Sequence, residues 1–310
     1  MSPRSPVNGV LLLDKPRGLT SQQAVSRAKR LLGAAKAGHT GTLDPMADGL
    51  LPIGLGEATK YTRFLLDADK IYRASLRLGV TTSTGDAEGE MLLQRPVTVD
   101  AAAVAAVLPR FLGEQQQIPP MHSALKVEGR PLYSYARAGV TLERQARTIA
   151  IKSIQAIDFK EEILTIRVSC SKGTYIRVLA EDIGEALGCG AHLVALTREA
   201  SGGYELSQAV NLQALEAMPA ADRLQCLLPS DAFAVALQSC TLDSADCRRI
   251  GQGQLARITP EPGFYRLYEA NGRFLGVGEA TAEGVRAVRL MAADEAVRPE
   301  NPLSNPQLTG

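Results

Sequence analysis

The sequence predicts an α+β protein with a small β-rich module behind its main domain. Three observations carry that expectation. Strand-like alternation at 70–79 and 163–170 is mixed with helical spacing at 20–33 and 176–187, without the strict strand–helix repeat of a parallel α/β sheet. After about residue 230 the chain turns to short strands separated by glycine turns. The length of 310 residues also favours two domains over one. The expected boundaries are a main domain at 1–232, a module at 233–292 and a loose tail at 293–310, rich in Pro and Asn.

Each element has a local cause. Residues 10–14 form a short apolar run that ends at Pro16, which reads as a buried strand. Thr20 with Gln23 makes a capping box, Ala24, Ala28, Leu31 and Leu32 follow at helical spacing, and Gly33 stands where the helix should stop. Residues 36–49 read as a loop, Leu50 to Leu55 as a strand and Glu57 to Asp69 as a helix. In KIYRASLRLG (70–79), Tyr72, Ala74, Leu76 and Leu78 share one face of a strand, with Arg73, Ser75 and Arg77 on the other. A polar turn at 81–89 and an Ala-rich helix at 100–112 follow. Residues 118–147 lack a regular period and hold Pro119, Pro120, Lys126, Arg130, Pro131, Arg137, Arg144 and Arg147. A connection this long is usually functional or mobile. A second alternating strand puts Leu164, Ile166, Val168 and Cys170 on one face. Lys172-Gly173 then turns the chain into a helix striped by Ile176, Leu179, Ala180, Ile183 and Leu187. Asn271-Gly272 is a hairpin signal.

Composition excludes several classes. No apolar run reaches the roughly 18 residues of a membrane span, and Asp14-Lys15-Pro16 cuts off the N-terminal run, so no signal peptide is read. Five cysteines, Cys170, Cys189, Cys226, Cys240 and Cys247, contain no C-x-x-C pair and fit a reducing cytoplasm. His39, His122 and His192 lack H-x-E or H-x-x-x-H partners, so no metal site is expected. Lys60 is not preceded by Gly, which removes a phosphate loop. Gly251, Gly253 and Ala256 match G-x-G-x-x-A but follow the polar stretch SADCRRI, not a buried strand.

Net charge is +1, which by itself argues against a polyanion partner. The balance is uneven. Residues 1–80 carry 12 Lys and Arg against 6 Asp and Glu, residues 81–180 carry 12 against 10, and residues 181–310 carry 10 against 17. A basic front joined to an acidic back is compatible with a polyanion bound by the front.

The densest chemistry lies in GHTGTLDPMADGLLPIGLGEATK (38–60). Pro45 biases Asp44 away from helix, and the flanking glycines allow close backbone approach. Asp44 can be a nucleophile or general acid, or the opener of an Asp-Pro turn. Arg177 falls in the first turn of its helix, where the dipole disfavours a cation. A carboxylate or phosphate partner would explain it, as would Glu181 at i+4. Tyr72, at the end of an apolar strand face, fits a core position, the commoner fate of such a tyrosine.

Taken with GVLLLDKPRGLTS (9–21), KIYRASLRLGVTTSTGDAEGE (70–90), PPMHSALKVEGRPLYSYARAG (119–139) and CSKGTYIRVLAEDIGEALGCGAHLVALTR (170–198), segment 38–60 resembles successive motifs of the TruB family. These are the bacterial synthases that make pseudouridine at position 55 in the T loop of tRNA. The resemblance covers about two thirds of the chain in order, and G-H-T-G-x-L-D-P is highly specific. It implies a pseudouridine synthase fold with a mixed, mostly antiparallel central sheet flanked by helices and loops. The C-terminal part is similar, on weaker grounds, to a PUA-like RNA-binding domain.

The resemblance also implies roles. Asp44 matches the catalytic aspartate, Tyr72 the tyrosine that stacks on the base and is proposed to move a proton, and Arg177 the arginine that pairs with the aspartate. His39, Lys15, Asp86, Tyr175, Leu196 and Lys60 match substrate-side positions, with Lys15-Pro16 bracing the site and Leu196 forming an apolar wall. Segment 118–147 matches a thumb-like element that closes over RNA. The implied partner is tRNA, with no cofactor, membrane or guide RNA, and the protein is expected to act as a monomer. A tRNA-folding role can accompany the chemistry. Two departures stand out: Thr81-Thr82-Ser83-Thr84-Gly85 lacks an Asp common in the family, and Thr197-Arg198-Glu199 replaces a double Arg, weakening one phosphate contact. The chemistry breaks N1–C1′, turns the uracil and rejoins it through C5. Its first step is attack by Asp44 at C6, attack at C1′, or proton abstraction from the ribose. A base must take the C5 proton, and Tyr72 or water held by it is the candidate. The target base must be flipped out, at a cost of a few kcal/mol offset by pocket contacts.

Overall fold

The computed structural model describes residues 6–292; the tail expected at 293–310 lies outside them. An 11-stranded sheet builds the front. Its main path runs Val210–Asn211, Gly9–Lys15, Asp48–Leu55, Ala191–Ser201, Lys70–Leu78, Ile163–Cys170, Arg147–Lys160 and Gly113–Gln117. Only Gly9–Lys15 with Val210–Asn211 and Asp48–Leu55 with Ala191–Ser201 pair in parallel; the other joints are antiparallel. The sheet is thus mixed and mostly antiparallel, as expected.

Two helices pack on this sheet for the reasons written in their sequences. In Ser21–Leu32 the Thr20–Gln23 capping box is formed and Gly33 closes the helix with φ 66°. Its Ala24, Val25, Ala28 and Leu32 bury against Leu11, Leu13, Leu51 and Ile53. Helix Ile176–Ala186 lays Ile176, Leu179, Ala180 and Ile183 on a core with Leu76, Leu78, Leu164, Ile166 and Leu193. Burial of each Leu or Ile there contributes about 2 kcal/mol.

Two strands of the centre have no clean sequence signal. Arg147–Lys160 changes register between Ile151 and Ser153 and between Ala156 and Asp158. Ala191–Ser201 does so between Leu193 and Ala195 and between Arg198 and Ala200. Such bulges interrupt the period-2 pattern. The helix expected over Glu57 to Asp69 is a 3₁₀ turn, Gly56–Tyr61, followed by the short helix Arg63–Leu66. The hydroxyls of Thr59 and Thr62 donate to the carbonyls of Gly56 and Thr59, tightening each turn to an i−3 spacing. Segment 118–147 is more ordered than its sequence suggests: a hairpin of Lys126–Val127 and Arg130–Pro131 leads into helix Leu132–Arg137.

Gly49 makes the parallel joint feasible. It adopts φ +100°, and a Cβ there would lie 2.5 Å from the Arg198 carbonyl oxygen. The joint pairs Thr197 with Asp48 and Arg198 with Gly49.

Behind the front, a four-stranded sheet is ordered Gln238–Leu242, Gly263–Glu269, Phe274–Thr281, Gly284–Leu290. Gly272, at φ 84°, forms the expected turn. Residues 244–251 form a helix capped by Asp243, so the G-x-G-x-x-A match begins where a helix ends, the reverse of a dinucleotide site. The module docks on the front through aromatic contacts. Tyr61 meets Phe274 edge-on at 5.2 Å, and Arg63 lies over both Phe64 and Phe264. The acidic excess does not belong to this module. Residues 181–232 hold 8 acidic and 2 basic side chains, whereas 233–292 hold 6 and 7.

Candidate active site

The loop after strand Ala37–His39 carries Asp44 into an open cleft of about 1070 Å³. Its course is fixed from several sides. Ser21 opens its helix and clasps Leu43 twice: its hydroxyl donates to the Leu43 carbonyl at 2.9 Å and accepts the Leu43 N–H at 2.7 Å. Gly18 N–H donates to the Pro45 carbonyl at 2.8 Å. The Asp44 side chain keeps 38% exposure toward the cleft.

Arg177 gathers the site. It is 4% exposed. Its Nε lies 3.1 Å from an Asp44 oxygen, and its Nη1 3.5 Å from Asp86. Nη1 donates to the Thr84 carbonyl at 3.2 Å and Nη2 to the His122 carbonyl at 2.7 Å. One guanidinium therefore joins the Asp44 loop, the turn at 83–90 and the start of segment 118–147. This accounts for the placement of Arg177 in a first helical turn: its ion pairs are with Asp44 and Asp86. Asp86 is buried and accepts from the Thr84 hydroxyl at 2.5 Å and the Glu88 N–H at 3.1 Å. Burial raises the Asp44 carboxyl above the usual range, Arg177 works against that, and Asp86 adds to it. Desolvation outweighs the guanidinium, which still favours the charged form.

Tyr72 lies in the cleft wall at 9% exposure. Burial pushes its phenol up, and the facing Arg198 guanidinium works against that. His39 is half-buried in the cleft, and its Nδ1 accepts the Gly41 N–H at 3.2 Å. Burial and Arg198 hold this imidazole below its ordinary pKa, hence neutral at pH 7. Tyr175 precedes helix Ile176–Ala186, its backbone held at both N–H and carbonyl by the Gln117 side-chain amide. Leu196 is buried in the wall.

Asp44, Tyr72, Arg177, His39, Asp86, Tyr175 and Leu196 all line this cleft. Two sequence candidates are not brought to it. Lys15 is fully buried beneath the loop, its ammonium donating to the carbonyls of Pro16 at 3.0 Å and Leu19 at 2.8 Å. Its ammonium is thus committed to the protein's own backbone beneath the loop. Lys60 pairs with Glu57 and donates to the Leu290 carbonyl, at the joint with the C-terminal module. Sequence reasoning missed Ser21 and Lys70 in the cleft lining and placed Arg198 only at a phosphate contact. Ser21 carried a signal, since it follows a cap residue directly. Arg198 carried only that of a charge inside a strand. Among the described residues, no group of three or more His, Cys, Asp or Glu is placed to hold a metal ion.

The cleft thus brings an aspartate–arginine–aspartate cluster beside a tyrosine on this mixed sheet. Comparison with known proteins gives the particular family. A model of the TruB family pseudouridylate synthase N-terminal domain matches residues 29–176. Models of the tRNA pseudouridylate synthase B C-terminal domain and of the pseudouridine synthase II TruB C-terminal region match 177–234 and 239–291. The tRNA pseudouridine synthase B of Azoarcus sp. (strain BH72) is 54% identical over 291 residues, covering 94% of this chain and 97% of that protein. Its counterpart in Thiobacillus denitrificans (strain ATCC 25259 / T1) is 52% identical over 294 residues, covering 94% and 99%. A solved structure titled "Crystal Structure of a Cbf5-Nop10-Gar1 Complex" superposes with TM-score 0.70 at 25% identity, covering 91% of this chain and 84% of that one. The chain belongs to the TruB family of pseudouridylate synthases, which are isomerases.

Proposed function

We propose that this protein isomerises uridine-55 in the T loop of tRNA to pseudouridine, acting alone on a flipped-out base with Asp44 as the catalytic carboxylate. The observation that carries the reading is Asp44 itself: a carboxylate 3.1 Å from a buried guanidinium, yet 38% exposed into a cleft it shares with Tyr72. The names of relatives more than half identical supply the tRNA substrate.

In this reading Arg177 keeps an ionised Asp44 oriented at the base. Attack at C6, attack at C1′ and abstraction of a ribose proton all start from that carboxylate. When the base is rejoined through C5, the C5 proton leaves to water held by Tyr72, or to the Tyr72 hydroxyl as it passes its own proton on to water. Tyr72 and His39 offer faces for stacking. Segment 118–147, tied to Arg177 at His122 and bearing Tyr133 and Arg137 at the rim, closes over the RNA backbone. The module at 233–292 adds RNA contacts, and the protein works in the cytoplasm as a monomer. Catalysis without a guide fits better than assembly with partner proteins, because relatives named as tRNA synthases share about twice the identity of the Cbf5 chain.

The test is the purified protein alone on unmodified transcript tRNA, with the product base mapped at nucleotide resolution. Pseudouridine at position 55 is expected. No product, or product only when a guide RNA is added, refutes the proposal.

A further inference from the structure

Arg198 is among the largest fully buried side chains of the protein, at 1% exposure. Its Nε donates to the Leu50 carbonyl at 2.6 Å and its Nη2 to the Gly41 carbonyl at 3.2 Å. Among the described residues no carboxylate lies within ion-pair distance of it. Instead it stands among cations and a neutral imidazole: Lys15, Lys70 and His39 all have their protonated forms disfavoured by its charge. A buried guanidinium with no counter-charge is costly, and a fold that needed only packing would place an apolar side chain there.

What the charge touches explains its presence. Gly41 begins the turn that delivers Asp44, and Leu50 lies in the strand after it. In the sheet Arg198 is paired with Gly49 on one side and with Tyr72 on the other. As cross-strand partners the two side chains share one face of the sheet, and both line the cleft. One side chain therefore spans the two groups that the reaction needs in register.

We propose that Arg198 is a positioning residue that fixes the Tyr72 hydroxyl relative to the Asp44 loop, so that the base which takes the C5 proton is indexed from the same point as the carboxylate. The strand alternation fits. Glu199, on the other face, bridges Arg73 at 2.9 Å and Arg167 at 2.7 Å, away from the cleft. Of Thr197-Arg198-Glu199, only Arg198 can serve this role.

The inference rests on the proposed reaction, so the experiment first requires wild-type turnover on tRNA and its loss in Asp44→Asn. Arg198→Met, Arg198→Lys, Tyr72→Phe and the Arg198→Met/Tyr72→Phe double variant are then compared under single-turnover conditions, with thermal unfolding of each. Arg198→Met should lower the rate about 100-fold, the scale of a roughly 1 Å misplacement, with tRNA affinity within threefold and the variant folded at the assay temperature. Arg198→Lys should recover part of the loss. In the Tyr72→Phe background the same change should cost under tenfold, because the hydroxyl it positions is gone. Full additivity of the two changes overturns the proposal, as does a rate within threefold of wild type. Weakened tRNA affinity at unchanged rate would make Arg198 an RNA contact and also overturn it. If Arg198→Met is unfolded, the Arg198→Lys/Tyr72→Phe cycle decides by the same criterion.

Discussion

Lys15→Met should leave stability at pH 7 nearly unchanged and remove a gain in stability that the wild type shows at alkaline pH. Burial holds the Lys15 ammonium at a pKa of about 8 against an ordinary 10.5, with Asp48, Asp44 and Asp14 opposing the shift and Arg198 adding to it. The sign follows from proton linkage. Below pH 8 both folded and unfolded states carry the proton, and the fold bears the net cost of holding that charge, on the order of 3 kcal/mol. Between pH 8 and 10.5 the unfolded state binds more protons than the folded one, so stability rises with pH. At pH 9.5 the gain relative to pH 7 is about 2 kcal/mol from this residue. Methionine removes the buried charge but strips donors from the Pro16 and Leu19 carbonyls. Two charged hydrogen bonds of about 1.5–3 kcal/mol each roughly offset the relieved desolvation. Urea unfolding of both proteins at pH 7 and pH 9.5 reads the difference. The variant should fall about 2 kcal/mol behind the wild type on going from the lower to the higher pH. Lys70, also held at about 8, contributes the same slope to both proteins and cancels. A stability difference independent of pH refutes the reasoning.

Further outcomes follow from the site. Tyr72→Phe keeps the ring in the cleft wall and removes the hydroxyl, so turnover should drop about 10²–10³-fold while tRNA affinity stays within threefold; unchanged turnover in a single-turnover assay removes the tyrosine from proton transfer. Because burial raises the Asp44 carboxyl, activity should be lost with falling pH at a midpoint above 3.8, the neutral acid being inactive; a pH–rate profile whose acid limb lies at or below 3.8 contradicts this. Amides of 118–147 should gain protection from hydrogen exchange when tRNA binds, and equal protection with and without tRNA contradicts its closing role.

Local signals were the legible part of this fold. The Thr20–Gln23 box, the Gly33 stop and the alternation at 70–79 depend on neighbours in the chain, and the structure realises each of them. Strands Arg147–Lys160 and Ala191–Ser201 were not legible, because bulges break the alternation and their partners lie far along the chain. The hairpin between Arg147–Lys160 and Ile163–Cys170 turns on Glu161 and Glu162, both at positive φ, where sequence leads one to look for Gly or Asn. At the site, the motif around Asp44 and the odd placement of Arg177 were visible in sequence. The guanidinium's links to Thr84 and His122 were not, since they cross more than fifty residues and end on carbonyls that any side chain could carry. Lys15 and Lys60 enter the sequence reading only through the family resemblance, Lys15 with Pro16 as a brace of the site. Only the fold shows that their ammonium groups are committed to carbonyls of the protein.

The measurement that reaches furthest is release of tritium from C5 of uridine-labelled tRNA by Asp44→Asn. Wild type should release one equivalent per tRNA, from position 55. The variant, with its carboxylate replaced by an amide of the same shape, should release none above background while still binding tRNA. Stoichiometric release by Asp44→Asn would contradict the account.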